Sequence, residues 1–352
     1  MPRARIHRIP TTGPDDTSGL RALIDAGDLD LGKLVAIIGK TEGNGCVNDF
    51  TRAFAVSALT QELGESAAMV SMVMSGGTEG GLSPHIVTFE VLDDNGPGPA
   101  MAIGTGLSDD IDPHELGTFA QIECVADTVS AAVKSAGLSG PADVHFVQVK
   151  CPLLTADRIA AARGPVATTD TLRSMGLSRG ASALGVALAL GEIDRATAKA
   201  TRIGSDLNIW SGRASTSSGI ELMGHEIVVL GMSHNWTGPL IVDHAVMNDA
   251  IDTKSVAQAL DRLGVGKQSK LRAVFAKAEA SSSGAIRGQR HTMLDDSDIA
   301  STRHARAFVG GALAGLTGGC DLYVSGGAEH QGPDGGGPAA LIADCLLYTS
   351  DA

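Results

Sequence analysis

The sequence predicts an α/β protein made of three structurally similar α+β repeats, arranged with pseudo-threefold symmetry around one central site. Three observations carry this. Short apolar runs end alternately in lysine and serine: Leu34–Gly39 leads to Lys40, Met72–Met74 to Ser75, Val144–Val149 to Lys150, Ile227–Met232 to Ser233, Leu271–Ala276 to Lys277 and Leu322–Val324 to Ser325. The loops that follow resemble one another, with Ser75-Gly76-Gly77-Thr78-Glu79 set against Ser325-Gly326-Gly327-Ala328-Glu329, and Lys40-Thr41-Glu42 against Lys277-Ala278-Glu279. Arg52-Ala53-Phe54-Ala55 also matches Arg306-Ala307-Phe308-Val309, and Arg179 lies as far beyond Lys150 as Arg306 lies beyond Lys277. A polar group at the end of a buried strand is fixed by the strand and opened to a pocket by the loop, which is where function usually sits.

Taken in order, each unit reads as an opening strand, a capped helix, a strand ending in lysine, a helix led by arginine, and a strand ending in serine. The opening strands are Ala4–Ile9, Ala100–Gly104 and Leu240–Val246, before helices expected from about Asp15, Asp109 and Asp249. Repeats are therefore expected over 1–97, 98–237 and 238–344. Gln121–Ala136 and Val256–Leu263 have helical periodicity, and Arg179 is expected to open a helix over Gly180–Leu190. The stretch 345–352 fits none of the pattern and is expected to be a non-native tail, such as translated adapter sequence.

Composition sets the outer bounds. The 352 residues are 43% hydrophobic but only 3% aromatic, with 45 glycines, so a large core must be built mainly from Ala, Val, Leu and Ile with tight loops between elements. A formal charge of −13 argues against nucleic acid or an anionic membrane as partner. The five cysteines form no C-x-x-C pair, so disulfides and thiolate zinc are not expected, and a reducing cytoplasm is. Met1–Pro10 has no apolar signal region, and no stretch approaches the roughly 20 apolar residues of a membrane span.

Serine needs a base to act as a nucleophile, and lysine can serve once burial or nearby arginines lower its pKa from about 10.4. The Lys–Ser pairs fit that chemistry. They equally suit pure binding, with lysine as a fixed cation and serine as a hydrogen-bond donor. The backbone N–H groups around Gly76 and Gly326 suit a carbonyl oxygen or oxyanion. Other motifs fail: Gly39-Lys40-Thr41 imitates the end of a P-loop, but Leu34 stands where that motif needs glycine. There is no H-E-x-x-H, no Ser-x-x-Lys at the three serines and no G-x-S-x-G elbow at them. No organic cofactor is expected.

Ala328–Pro338 is too rich in Gly and Pro for regular structure, so it is either a plain loop or a set of backbone carbonyls that accepts Mg²⁺ or Ca²⁺, with Glu279 as the carboxylate. On the second reading the cation braces Ser325 and Arg306.

The stretches Gly39–Arg52, Met74–Gly80, Val147–Thr155, Ser178–Gly185, Met293–Asp298 and His330–Pro338 together resemble the cyanuric acid hydrolase and barbiturase family of cyclic amide hydrolases. The resemblance runs to about Asp344. It implies a threefold-repeated fold in which each repeat gives one Lys, one Ser and one Arg to a central pocket, usually in a homotetramer. Carried over, the pairs are Lys40 with Ser75, Lys150 with Ser233, and Lys277 with Ser325. The substrate arginines are Arg52, Arg179 and Arg306, and the metal site is Glu279 with Ala328, Gln331, Gly332, Pro333 and Gly336.

Within that frame the second repeat is the odd one, because Ser233 is followed by His234 and Asn235 rather than by Gly-Gly, and Lys150 lacks the Lys-x-Glu carboxylate. Ser233 activated by Lys150 is thus the expected nucleophile, with His234 beside it among the substrate contacts and Ser75 and Ser325 binding carbonyl oxygens. The expected reaction is hydrolytic opening of cyanuric acid to carboxybiuret, then biuret and CO2. Gly231–Trp236 and Met247–Asp252 look more like the cyanuric acid branch than the barbiturase branch, whose substrate, barbituric acid, lacks the threefold symmetry. A non-catalytic imide-binding protein is the rival from another class.

Overall fold

A computed structural model describes residues 1–96 and 98–345. Three four-stranded sheets share one strand order, which is opening, return, lysine and serine strand. In the first repeat these are Pro2–Pro10, His85–Asp93, Leu34–Thr41 and Ser71–Gly76; in the second, Ala100–Leu107, Glu226–Ser233, Val144–Pro152 and Ala214–Gly219; in the third, Leu240–Met247, Gly337–Cys345, Ser269–Ala278 and Tyr323–Gly326. The return strand runs antiparallel to its neighbours, whereas lysine and serine strands run parallel. Parallel neighbours need a crossover. It is the arginine-bearing helix each time: Phe50–Leu63, Thr171–Ala189 and Ser301–Thr317.

The order of these sheets corrects one pairing expected from the sequence. Lys40 lies across from Ser75 and Lys277 from Ser325, but Lys150 lies across from Ser217. Ser233 ends the return strand, opposite Ala100, seven positions beyond the Glu226 that faces Lys150. At about 3.3 Å per residue it is roughly 20 Å from the lysine.

Helix starts also differ. Arg179 does not open its helix, because Asp170 caps the helix by accepting from the Arg173 N–H at 3.0 Å, so Arg179 lies mid-helix. Arg306 likewise lies five residues inside its helix, and Arg52 two. The first helices of the repeats begin at Ser18, Phe119 and Thr253, a few residues after the expected acidic positions. Of the expected tail, Cys345 is the last residue of a return strand, paired with Ser269. The rest, 346–352, lies outside the described residues.

One hydrophobic cluster draws from all three sheets, including Ile38, Phe89, Phe146, Val149, Phe275 and Tyr323. Its few aromatics gather at the centre, where the Phe275 ring lies 6.2 Å from Phe89, 5.8 Å from Phe146 and 5.6 Å from Tyr323. Because strand residues alternate faces, the side chains two positions before each lysine and serine lie beneath them. Among the described residues no helix is long and apolar enough to cross a membrane.

Candidate active site

Where the three sheets meet, the ends of the lysine and serine strands line a small, partly open pocket. Each repeat contributes to it. The first gives Arg52, Ser75 and Gly76, the second Arg179, Ser217 and Ser218, the third Arg306, Ser325 and Gly326. Lys40, Lys150 and Lys277 are fully buried around it.

Lys40 and Lys277 behave alike. Lys40 Nζ donates to Ser75 Oγ at 3.4 Å and to the Gly76 carbonyl at 3.2 Å; Lys277 Nζ donates to Ser325 Oγ at 3.0 Å and to the Gly326 carbonyl at 3.3 Å. Lysines also reach across repeat joints, Lys150 to the Met74 carbonyl at 2.7 Å and Lys277 to the Thr216 carbonyl at 2.9 Å. Burial lowers the pKa of all three, helped at Lys40 by Arg306 and at Lys277 by Arg179, which brings Lys277 to about 7. At Lys150 a carboxylate opposes the effect of burial. Glu221 Oε1 stands 2.5 Å from Nζ, so Lys150, expected to lack an acidic neighbour, is the lysine that has one in direct contact.

The serines are linked as well. Ser217 Oγ and Ser325 Oγ lie 3.1 Å apart. The Tyr323 ring is buried beneath, with Lys40 Nζ 5.8 Å from its centroid. Burial raises the phenol pKa to about 12, so it remains a neutral donor.

The arginines are held in a ring. Arg306 of the third repeat grips Glu79 of the first through Nε at 2.9 Å and Nη2 at 2.5 Å; Arg179 of the second grips Glu329 of the third at 2.8 and 2.6 Å. Arg52 of the first reaches the second, where Nη1 donates to the Ser218 carbonyl at 2.9 Å. Its other Nη donates to the Cys46 carbonyl, but Nε, which takes a glutamate in the other two, is buried without a hydrogen-bond partner. The corresponding glutamate is Glu221, the one on Lys150. The second loop glycines make this grip possible: Gly77 has φ +107 and Gly327 φ +79, and a Cβ at either would fall 2.5 Å from the facing guanidinium.

Sequence reasoning thus found the three lysines and three arginines, Ser75, Gly76, Ser325 and Gly326, which the fold brings together. It missed Ser217, Ser218 and the three glutamates. Ser233 and His234 are elsewhere: Ser233 Oγ donates to the Gly137 carbonyl at 3.0 Å and accepts from the Asn235 N–H, while His234 is exposed. The missed signal was Ser217-Ser218-Gly219-Ile220-Glu221, the same Ser-x-Gly-x-Glu pattern as in the other two loops.

Glu279 is half-buried, and among the described residues its carboxylate accepts the Ala280 and Ala328 N–H groups, at 2.9 and 3.3 Å. Burial and the nearby Glu329 push its pKa well above the usual carboxylate range, and among the described residues it has no ion pair. A half-buried carboxylate without an ion pair, beside a loop of carbonyls, fits a cation. The loop is ordered rather than loose, but its contacts differ from expectation. The Gln331 side-chain oxygen accepts from the Thr216 N–H at 2.7 Å and Glu329 holds Arg179, while Arg306 is held by Glu79. The loop therefore supports the second repeat more than Arg306.

Residues 5–344 match the family model described as amidohydrolase ring-opening protein. The chain is 58% identical over 352 residues to a cyanuric acid amidohydrolase of Azorhizobium caulinodans, covering 97% of this chain and 99% of that one. A protein of the same name from Enterobacter cloacae is 48% identical, covering 97% and 99%. Among solved structures, the A. caulinodans cyanuric acid hydrolase superposes with a TM-score of 0.92 at 56% identity, covering 98% and 99%. A second cyanuric acid hydrolase, described as an innovation by structural concatenation, also gives 0.92, at 46% identity and 98% and 100% coverage.

Proposed function

Because the chain belongs to the ring-opening amidohydrolase family, we propose that it hydrolyses cyanuric acid at one C–N bond, giving carboxybiuret, which loses CO2 to biuret. The observation that carries this is the convergence of a serine and an arginine from each repeat on a single small pocket, with the three buried lysines bonded to its serine strands. A ring with three equal carbonyl-bearing edges suits such a site.

The reading assigns the nucleophile to Ser217 and the base to Lys150. Lys40 and Lys277 already bind their own serines and the next carbonyls, which leaves Ser75 and Ser325 as donors to ring carbonyls. Lys150 makes no such bond, and its serine, which lies 3.1 Å from Ser325 Oγ, would turn toward it to react. Ser217 Oγ attacks a ring carbonyl as its proton passes to Lys150 Nζ. The C–N bond breaks, Lys150 returns the proton to the leaving nitrogen, and water then cleaves the ester on Ser217, its proton taken by Lys150 and passed to the departing Ser217 Oγ. The arginines and loop N–H groups stabilise negative charge on the carbonyl oxygens. A second reading, with Ser325 and Lys277 as the pair, is favoured by their 3.0 Å contact and the Lys277 pKa of about 7.

Glu279 and backbone carbonyls of the 328–336 loop would hold a Mg²⁺ or Ca²⁺ ion, whose contribution would be to neutralise the carboxylate and brace the loop. The chain would work in the cytoplasm, in keeping with its free cysteines, and as a homotetramer, a reading supported by the exposed Phe50, Phe54 and Phe308. The test is to follow the ultraviolet loss of cyanuric and barbituric acid separately with purified protein. Faster loss of barbituric acid would move the assignment to that branch, and tight binding of either with no turnover would favour a binding protein.

A further inference from the structure

Two buried groups that are partners in the other repeats stand apart in the second. Arg306 Nε and Arg179 Nε each donate to a glutamate oxygen, Glu79 at 2.9 Å and Glu329 at 2.8 Å. Among the described residues Arg52 Nε has no hydrogen-bond partner, its nearest carboxylate oxygen being Asp49 Oδ2 at 4.0 Å, and neither oxygen of Glu221 has an aligned one, although all of these atoms are buried. Such orphans are destabilising when nothing compensates them. What compensates Glu221 is the ion contact with Lys150 at 2.5 Å. Arg52 nevertheless remains close enough to act on both: it pulls the Glu221 pKa down, second only to Lys150 among cations, and it lowers that of Lys150.

We infer that Glu221 is a positioning residue with two stations, one on Lys150 Nζ, where it stands here, and one on Arg52 Nε, where its two counterparts stand on their own arginines. In the first station the carboxylate holds Lys150 as an ammonium. When a ring carbonyl engages the Arg52 side of the cavity, Glu221 moves to Arg52. Lys150 is then left as a buried cation among arginines without its counter-charge, and its proton leaves to solvent. The free amine is the base that Ser217 requires. Glu221 itself neither gains nor loses a proton, so the balance is one ammonium proton released per site on binding. A site that keeps its base protonated until substrate arrives has no neutral lysine idling beside its nucleophile.

The inference rests on Lys150 being the base, and its test separates the two. Cyanuric acid is titrated calorimetrically into Ser217→Ala, which cannot turn over, in buffers of different ionisation enthalpy at one pH. The same titration is run on Ser217→Ala/Glu221→Gln. The single variant should release about one proton more than the double variant. Equal proton release overturns the inference even if wild type turns over cyanuric acid. Absence of turnover by wild type overturns the proposed function instead, and absence of binding overturns both. Wild-type pH profiles give a second readout. The acid limb of kcat, which reports the complex, should fall at lower pH than that of kcat/KM, which reports the free enzyme, by about one unit. Glu221→Gln should close the gap by lowering the kcat/KM limb, because removing the carboxylate removes what raises the Lys150 pKa. A gap that persists in Glu221→Gln contradicts two stations.

Discussion

Ser217 Oγ and Ser325 Oγ meet at 3.1 Å across the joint between the second and third repeats. One hydroxyl can donate to the other, so the proton on the proposed nucleophile has a defined alternative acceptor before substrate enters. Truncating either serine should therefore be felt at both.

The serine series separates the roles. Ser217→Ala should lower kcat by about 10⁴-fold, as loss of a covalent nucleophile does. Ser75→Ala and Ser325→Ala should raise KM and lower kcat by about 10- to 100-fold, the worth of one hydrogen bond to developing charge. Ser233→Ala should keep kcat within about twofold and lose about 1 kcal/mol of stability with its bond to Gly137. Steady-state kinetics with thermal melts decide this. If Ser325→Ala is the variant that loses turnover with binding intact, the reacting pair is Lys277 and Ser325.

The Ser217 strand shows why part of the site was hidden. Ala214-Ser215-Thr216-Ser217-Ser218-Gly219 has no apolar run, yet all six residues are buried. It is held by hydrogen bonds, Thr216 N–H to Gln331 and Thr216 Oγ1 to the Arg179 carbonyl, so its reasons for being a strand lie elsewhere in the chain. The apolar Ile227–Met232 that follows it in the chain carries the strand signal and ends in a serine by coincidence. Lys40, Lys277, Ser75 and Ser325, by contrast, sit on apolar strands followed by matching loops, and were legible for that reason. Glu79 and Glu329 were invisible as partners because each bonds an arginine of another repeat, and Glu221 because it meets a lysine distant in sequence.

Gly327→Ala should raise KM about tenfold and destabilise the fold by about 2 kcal/mol, since its Cβ would meet the Arg179 guanidinium at 2.5 Å at a positive φ. Gly27→Ala is the control. It has a similar φ of +76 but open space around it, so it should show the backbone strain alone, about 1 kcal/mol, with KM unchanged. Equal effects on KM from both would remove the steric argument.

Lys277→Met should abolish efficient turnover yet raise the melting temperature, by an amount that depends on pH. The folded pKa is about 7 against an ordinary 10.5, so between these values the unfolded chain binds the extra proton and wild-type stability rises with pH. Below 7 the penalty of the buried lysine is complete. The gain from methionine should therefore be largest at and below pH 7 and shrink toward 10.5. A gain independent of pH would mean that Lys277 does not titrate in this window.

Glu279→Ala should lower the melting temperature in Mg²⁺ or Ca²⁺ and make it insensitive to chelation, whereas chelation should lower that of wild type. Substrate affinity should fall in parallel, because the loop supports Arg179 through Glu329 and the Ser217 strand through Gln331. Loss of turnover with melting temperature and affinity unchanged would give the cation a direct chemical role.

The departure of the second repeat from its two counterparts has a consequence for how a ligand is counted into the cavity. A ring with threefold symmetry can enter in three rotations, and each presents the same edge to Lys150 and Ser217, so every arrival is productive. A ring with one distinct edge has three distinguishable rotations, of which the chemistry accepts only some. If only one is accepted, the difference is a statistical factor of three, about 0.7 kcal/mol before any contact differs. One specialised edge in a nearly symmetric cavity thus discriminates for ligand symmetry as such, without any residue that reads the ring's composition.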